Sequence, residues 1–193
     1  MRFHLCRKME KPKLGLDLDD TLADTNAALK ELLRERYNKS EIAECDVRAL
    51  SKDKIIELAA ECWKTPEKIF PVDKNFKYTF SSLHEIYEIH IVTLNRRTPR
   101  EVIEYWLKKN NVPYDRLHIT KDCEEKTRYV DVLVDDSLKC VEAQANAGKQ
   151  AILIARPNNE NFIATERIVR LKTWREISNY LEIYYAFLLS KRK

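Results

Sequence analysis

Three carboxylates stand within four residues near the start of the chain, in the run Asp17-Leu18-Asp19-Asp20-Thr21. Carboxylates this close repel one another unless a cation or protons balance their charge. Mg²⁺ prefers oxygen ligands, commonly one or two carboxylates together with a substrate phosphate. The cluster therefore predicts a divalent-cation site. Capping of the following helix would explain Asp19 or Asp20 singly and would leave the cluster unexplained.

Four further polar residues stand at or near the ends of apolar runs. Thr93 and the pair Asp135-Asp136 each follow such a run, and Lys126 leads into the second of them. A hydroxyl donor and an ammonium group are what a phosphate with developing negative charge needs around it. Lys121 stands five residues before Lys126 in the same segment, so the pattern leaves open which lysine takes part.

Alternating strand and helix patterns separate these residues. Strands and helices in alternation indicate a parallel sheet with helices on both faces, and ligands of such sheets bind at the carboxyl ends of the strands. The acidic and hydroxyl residues singled out above all fall at such ends. Strands are predicted near residues 14–19, 89–92, 116–119, 130–134 and 151–154. A first helix is predicted to begin at about residue 24, with Asp24 or Thr25 as its cap, and further helices at 52–63, 81–87, 99–109, 138–147 and 174–190. Gly148 is expected to close the helix at 138–147.

Two proline breaks, at Thr65-Pro66 and Phe70-Pro71, end a helical stretch that begins soon after the first strand. We interpret residues 24–72 as a small helical cap inserted into the chain. Residues 1–23 and 73–193 then form the core domain.

Composition describes a globular protein of one main domain. The chain has 193 residues, 44% hydrophobic and 34% charged, with a formal net charge of +4. This charge suits an anionic substrate and is too weak and too evenly spread to indicate nucleic-acid binding.

The apolar run at residues 183–189 is too short to span a membrane. The basic lead-in at residues 1–12 has no long apolar stretch of the kind a secretory signal needs, so we expect a cytoplasmic protein. The charged run at residues 191–193 is read as a solvated tail, and the oligomeric state is left open.

Cysteine and glycine usage excludes several other classes. The five cysteines are odd in number and contain no C-x-x-C spacing, which argues against a disulfide framework and a structural zinc site. We expect buried or incidental thiols. With two glycines, at 15 and 148, the chain contains neither a P-loop nor a dinucleotide-binding G-x-G-x-x-G motif. The cysteines are Cys6, Cys45, Cys62, Cys123 and Cys140.

Taken in order, the polar residues resemble the four motifs of the haloacid-dehalogenase (HAD) superfamily. Those motifs are an acidic D-x-D after the first strand, a Ser or Thr, a Lys and a terminal acidic pair. The resemblance implies an HAD-like Rossmannoid fold, with three α/β/α layers, and a magnesium-dependent phosphohydrolase. It implies that Asp17 is the nucleophile that forms an aspartyl-phosphate. It also implies that Asp19 is the general acid/base, which protonates the leaving oxygen and then activates water.

The same resemblance assigns the remaining motif residues. Thr93 would hydrogen-bond the transferring phosphoryl oxygens, and Lys126 would neutralise charge on the nucleophile and the phosphate. Mg²⁺ would be held by Asp17, Asp136 and the backbone carbonyl of Asp19. Asp135 would orient the lysine or a metal-bound water.

Asp19 favours phosphoryl transfer within the superfamily, because dehalogenases lack this second aspartate and the ion-pump branch carries Thr there. A narrower likeness over about residues 13–160 resembles the 5'-nucleotidase and 5'(3')-deoxyribonucleotidase branch, including its YqfW-like members. It implies a nucleoside monophosphate as substrate. Two departures are Asp20, where many members have Gly, and Leu94-Asn95-Arg96-Arg97, where many have Ala-Arg after the motif Thr. Leu94, Asn95 and Arg96 are expected to contact substrate.

Other functions stay open at this point. The substrate could be another small phosphorylated metabolite or a nucleic-acid end, and a non-catalytic binding protein could keep the fold. A phospho-receiver domain fits less well, because receivers place the acidic pair in the first motif. Three aromatic residues of the cap, Tyr37, Trp63 and Phe70, could stack a base or form core. Arg96 and Arg97 could grip a phosphate or be a solvated surface pair.

Overall fold

The computed structural model of the protein describes residues 10–191. Most of the basic lead-in, including Cys6, lies outside the described residues, and so do the last two residues of the charged tail. The expectation that the lead-in holds no secretory signal therefore also falls outside them.

Six strands form a single sheet in which every pairing is parallel, in the order β3-β2-β1-β4-β5-β6. This arrangement confirms the predicted α/β class with a parallel central sheet. β1 lies at its centre between β2 and β4, which places the first acidic motif beside both neighbouring strand ends. The strands are β1 (Lys13–Leu16), β2 (Glu88–Thr93), β3 (Arg116–Ile119), β4 (Val132–Asp135), β5 (Gln150–Ile154) and β6 (Ile168–Leu171).

The described residues also form eight α-helices, four of which follow one another between β1 and β2, and short 3₁₀ turns at Pro66–Lys68 and Pro157–Asn159. None of the helices between residues 10 and 191 is long and apolar enough to cross a membrane. The helices are α1 (Thr25–Tyr37), α2 (Glu44–Arg48), α3 (Lys52–Cys62), α4 (Phe76–Ile86), α5 (Arg100–Lys109), α6 (Cys123–Tyr129), α7 (Leu138–Asn146) and α8 (Trp174–Ser190).

Helices cover both faces of the sheet, because side chains along each strand point alternately to opposite sides. On one face, buried residues of β1, β2, β4 and β5 pack with α4, α5 and α8. On the other face, Leu133 and Val92 pack with α6 and α7, and Leu153 packs with α7. The result is the predicted three-layer α/β/α arrangement.

Four elements differ from the sequence-based expectation, and one of them is the five-residue helix α2, which was not predicted. The edge strand β6 was missed, since its four residues are mostly half-buried and lack a long apolar run. α6 was expected only as a segment leading to β4. α4 begins at Phe76 rather than near residue 81, because Phe76 and Phe80 are buried against the Trp174 ring.

The expectation of incidental thiols was wrong for two of the five cysteines. Cys123 and Cys140 form a disulfide that joins α6 to α7 within the core. Cys62 is a buried free thiol, and burial raises its pKa to about 11. The pairing could not be predicted from the spacing, because the two cysteines are 17 positions apart in the sequence with β4 between them.

The two ends of the helical segment between β1 and α4 lie side by side. Ala23 and Pro71 form an isolated bridge, and the amide of Val72 donates to the Leu22 carbonyl at 2.9 Å. Asp24 caps α1 by accepting from the Ala27 amide at 3.0 Å, so of the two expected capping residues it is Asp24 that serves. We call residues 24–72 the helical insertion; its role as a cap stays a prediction.

Candidate active site

The carboxyl ends of β1 and β4 bring the two acidic motifs together. The strands are direct neighbours, with Leu16 in register with Val134, and the Asp17 amide donates to the Val134 carbonyl at 3.0 Å. Gly15 allows the chain to pass close to the end of α6, since a Cβ there would lie 2.7 Å from a methyl carbon of Val130. The first motif therefore reaches the acidic pair because β1 lies in the middle of the sheet.

Asp17, Asp135 and Asp136 form the one group of three potential metal ligands in the described residues. Each offers a carboxylate oxygen, and these oxygens lie within 4.8 Å of one another. Burial raises the pKa of Asp17 well above its usual range, and Asp135 and Asp136 raise it further against the lowering effect of Lys126. Burial, followed by the charge of Asp135, raises the pKa of Asp136 to about 8. Such a donor set fits a hard divalent cation, which would replace the protons that Asp17 and Asp136 otherwise take up.

Lys126 is the lysine that reaches this group. Its ammonium donates to Asp17 Oδ1 at 2.5 Å and to Asp135 Oδ2 at 2.8 Å, and its side chain is 1% exposed. α6 carries it there, beginning at a cap in which Asp122 accepts from the Glu125 amide. Burial alone lowers the pKa of Lys126, but the two aspartates outweigh it, so the pKa rises and the ammonium stays charged. Lys121 is exposed at the surface, which resolves the ambiguity between the two lysines.

Asp135 has both carboxylate oxygens engaged by protein donors. Oδ2 accepts from Lys126, and Oδ1 accepts from the Ser137 amide at 2.8 Å. It therefore holds the ammonium of Lys126 in place through Oδ2.

Asp19 lies where the first motif meets the helical insertion. Thr25 Oγ1 donates to Asp19 Oδ1 at 2.6 Å, and the indole nitrogen of Trp63 donates to the same oxygen at 2.8 Å. Burial raises the pKa of Asp19, and the hydrogen bonds from Thr25, Trp63 and Asn95 partly offset that rise. A buried carboxyl with a raised pKa is suited to carry a proton for transfer.

Asp20 adopts a left-handed backbone conformation, with φ of 56°. Its side chain accepts from the Asn26 amide at 2.7 Å, and its carbonyl accepts two hydrogen bonds from the Arg156 guanidinium. Burial raises the pKa of Asp20 to about 7, and the hydrogen bond from Asn26 opposes that rise. A cavity of about 240 Å³ opens here, lined by Asp20, Asp24, Asn26, Val72, Asp136, Arg156, Pro157 and Asn158.

Arg156 and Trp63 are site residues that the sequence analysis did not assign. Arg156 follows β5 at its carboxyl end, so its place after a predicted strand was a usable signal. Trp63 was considered as a base-stacking or core residue; it is 1% exposed, and no sequence signal indicated its hydrogen bond to Asp19.

The loop after β2 carries the remaining predicted residues. Thr93 is buried at the strand end, and its hydroxyl accepts from the Asn95 amide at 3.0 Å. The Asn95 side-chain oxygen accepts from the Thr98 amide at 3.3 Å, and Asn95 is among the groups that oppose the rise in the pKa of Asp19. Leu94 and Arg96 are exposed, so the structure gives them an accessible surface and does not bring them into the buried group.

No protein-family model matches this sequence, and no curated protein sequence gave a significant match. Solved structures do match. YfnB of Bacillus subtilis, named as an HAD-hydrolase and solved bound to magnesium, matches at 16% identity over 90% of this chain and 100% of its own, with a TM-score of 0.62. The L-2-haloacid dehalogenase PA0810 matches at 13% identity over 90% of this chain and 100% of its own, with a TM-score of 0.58. Protein Tyrosine Kinase A of Mycobacterium tuberculosis matches at 14% identity over 90% of this chain and 99% of its own, with a TM-score of 0.62.

The chain has the HAD-like fold. The three similar structures are named as a hydrolase, a dehalogenase and a kinase. The fold alone therefore does not assign an activity. The side chains around Asp17 therefore carry the evidence for an activity in this chain.

Proposed function

We propose that the protein is a Mg²⁺-dependent phosphomonoester hydrolase that works through an aspartyl-phosphate on Asp17. The observation that carries this proposal is the position of Asp17, in contact with Lys126 and within one 4.8 Å ligand group with Asp135 and Asp136. A carboxylate so placed has beside it the positive charge that an incoming phosphate requires. The second aspartate, Asp19, adds a buried carboxyl that can move a proton.

The proposed reaction has two steps. In the first, an Asp17 carboxylate oxygen attacks phosphorus, the bond from phosphorus to the leaving oxygen breaks, and Asp19 gives that oxygen its proton. In the second, water attacks the phosphorus of the aspartyl-phosphate and Asp19 takes its proton, releasing inorganic phosphate and restoring the Asp17 carboxylate. Dividing one difficult hydrolysis in this way lowers each barrier. Thr93 and Lys126 would contact the transferring phosphoryl oxygens.

Mg²⁺ is the proposed cofactor, held by Asp17, Asp136 and the backbone carbonyl of Asp19. When bound, it would supply positive charge to the phosphoryl oxygens. The carboxylates of the 4.8 Å group suit this ion, and Asp135 is already engaged by Lys126 and Ser137. The magnesium bound to YfnB, which has the same fold, supports the choice of metal.

The proposed substrate class is the nucleoside monophosphates, with the helical insertion as the cap that closes over them. This rests on the resemblance over residues 13–160. Of the three aromatic residues of the insertion considered for stacking a base, Trp63 is buried. Tyr37 and Phe70 are 57% and 71% exposed, so these two side chains have a surface on which a base could stack. Another small phosphorylated metabolite is the second candidate.

The test is phosphate release from nucleoside monophosphates, sugar phosphates and an aryl phosphate, each with Mg²⁺ or with EDTA. Asp17→Asn is compared with the native chain, and Asp131→Asn is the matched control. Asp131 is an aspartate that accepts from the Lys13 amide at 2.8 Å, at the opposite ends of β1 and β4. We expect Mg²⁺-dependent release that Asp17→Asn abolishes and Asp131→Asn keeps. Release by Asp17→Asn at the native rate would refute the aspartyl-phosphate, and preference for a sugar phosphate would refute the nucleotide assignment.

A further inference from the structure

Trp63 connects the helical insertion to the first acidic motif. It lies at the carboxyl end of α3, and its indole nitrogen donates to Asp19 Oδ1 at 2.8 Å across 44 residues of sequence. The two-step reaction proposed above uses Asp19 and gives Trp63 no part. The single donor of this buried indole nevertheless forms its hydrogen bond with the carboxylate of Asp19.

Two donors act on the same oxygen of Asp19. Thr25 Oγ1 lies 2.6 Å from Oδ1, and the Trp63 nitrogen lies 2.8 Å from it. Exchanging the two carboxylate oxygens by rotation about the Cβ–Cγ bond would break both hydrogen bonds. The pair of donors therefore fixes the orientation of this carboxyl group.

The indole of Trp63 is itself held from the core side. Its ring packs edge-to-face on the Trp106 ring, with centroids 6.0 Å apart and planes at 72°. Trp106 belongs to α5, is fully buried, and donates from its own indole nitrogen to the Ile69 carbonyl at 2.8 Å. Trp63 is thus placed by a rigid neighbour rather than by Asp19 alone, and side chains locked in this way can orient a reacting group.

We propose that Trp63 is a positioning residue for Asp19: its indole N–H fixes the orientation in which the carboxyl group meets the leaving oxygen. This inference rests on the proposed hydrolase function. Thr25 and Trp63 both belong to the helical insertion, so the insertion supplies the two donors that orient Asp19.

The kinetic test compares Trp63→Phe with Trp174→Phe. Each change removes one indole donor from a buried aromatic residue, but only Trp63 contacts Asp19. The substrates are an alkyl phosphate, whose leaving oxygen needs a proton, and 4-nitrophenyl phosphate, whose leaving oxygen does not. The measured parameter is kcat/KM. When formation of the aspartyl-phosphate is irreversible, kcat/KM does not depend on the later hydrolysis of that intermediate.

We expect Trp63→Phe to lower kcat/KM for the alkyl phosphate by about tenfold, part of the 10²–10⁴ that a general acid contributes. The aryl phosphate should lose about twofold or less. Trp174→Phe should change both substrates equally. Equal losses for the two substrates in Trp63→Phe, or the same selectivity in both variants, would overturn the inference and leave the hydrolase proposal standing.

A second measurement needs no activity and uses the native fold. The chain has three tryptophans, and in the structure their indole nitrogens donate to Asp19, to the Ile69 carbonyl and to the Thr21 carbonyl. With ¹⁵N-labelled tryptophan, each indole N–H signal is assigned by its Trp→Phe variant. Asp19→Ala should move the Trp63 signal further than the signals of Trp106 and Trp174. A Trp63 signal that moves no more than the other two would refute the hydrogen bond, whatever the enzyme assays show.

Discussion

Lys126 and Asp17 form a buried ion pair, with Nζ and Oδ1 2.5 Å apart, although 109 residues separate them in the chain. The same ammonium lies 2.8 Å from Asp135 Oδ2. The exposed fractions of the Lys126, Asp17 and Asp135 side chains are 1%, 9% and 1%. A charge buried this deeply is stable only while its partners remain, so removing Lys126 affects folding as well as chemistry.

Lys126→Met should therefore lower the free energy of unfolding by about 3–5 kcal/mol in EDTA, the usual cost of leaving a buried charge without its partner. Mg²⁺ should restore part of the loss, since it supplies positive charge to the same carboxylates. Urea unfolding with EDTA and with Mg²⁺ measures both effects. Lys121→Met is the control, because this lysine is exposed and its loss should change stability by about 0.5 kcal/mol or less. Equal stability of the two variants in EDTA would contradict the prediction.

The stabilising effect of Mg²⁺ should increase with pH. Burial and the neighbouring charge of Asp135 raise the pKa of Asp136 to about 8, and the pKa of Asp17 is raised in the same direction. Between the unfolded pKa, about 4, and the raised folded pKa, the folded metal-free protein binds more protons than the unfolded chain. Its stability therefore falls as pH rises through that window. Mg²⁺ replaces those protons, so its benefit is smallest where they are bound.

Thermal unfolding at pH 5, 6, 7 and 8, with Mg²⁺ or EDTA, measures this dependence. The increase in Tm caused by Mg²⁺ should be larger at pH 8 than at pH 5. Asp136→Asn removes one of the titrating ligands and should flatten the trend. A Tm increase of the same size at every pH would argue that the metal binds elsewhere.

The residues of the central site could be found from the sequence because each follows or precedes an apolar run in a βα alternation. Parallel strands bring such positions to one edge whatever lies between them. That rule suffices for Asp17, Asp135 and Asp136, which do lie together. It could not choose between Lys121 and Lys126, because the choice depends on α6, a helix of seven residues too short to show a clear period.

Contacts that depend on long-range packing could not be predicted in the same way. Trp63 meets Asp19 through the path of the helical insertion, and Arg156 meets the Asp20 carbonyl across 136 residues. Neither pairing leaves a local pattern. The Cys123–Cys140 pair was hidden for the same reason, since an odd, scattered set of cysteines gives no pairing.

Reduction of the disulfide should destabilise the protein without dismantling the site. Cys123 and Cys140 close a loop of 17 residues, for which loss of the crosslink costs about 3 kcal/mol. Urea unfolding with and without dithiothreitol measures the loss. The double variant Cys123→Ala/Cys140→Ala should show no response to the reductant. A native protein with the same unfolding midpoint in both conditions would show that the crosslink does not form or adds nothing to stability.

Asp20 allows a test of backbone strain beside the site. Its φ of 56° is a conformation that glycine adopts freely and that costs other residues about 1–2 kcal/mol. Asp20→Gly and Asp20→Ala both remove the carboxylate that accepts from Asn26 at 2.7 Å, so the difference between them isolates the backbone. We expect Asp20→Gly to be more stable to urea than Asp20→Ala by about 1 kcal/mol.

Asn38 supplies the matched control for that comparison. It closes α1 with a φ of 51°, and is itself exposed. Asn38→Gly should likewise exceed Asn38→Ala in stability, by a similar amount, because the same backbone conformation is involved. If Asp20→Ala were at least as stable as Asp20→Gly while the Asn38 pair kept its expected order, the first motif would not hold a left-handed residue at position 20. The carbonyl of Asp20 would then not be presented to Arg156 as described.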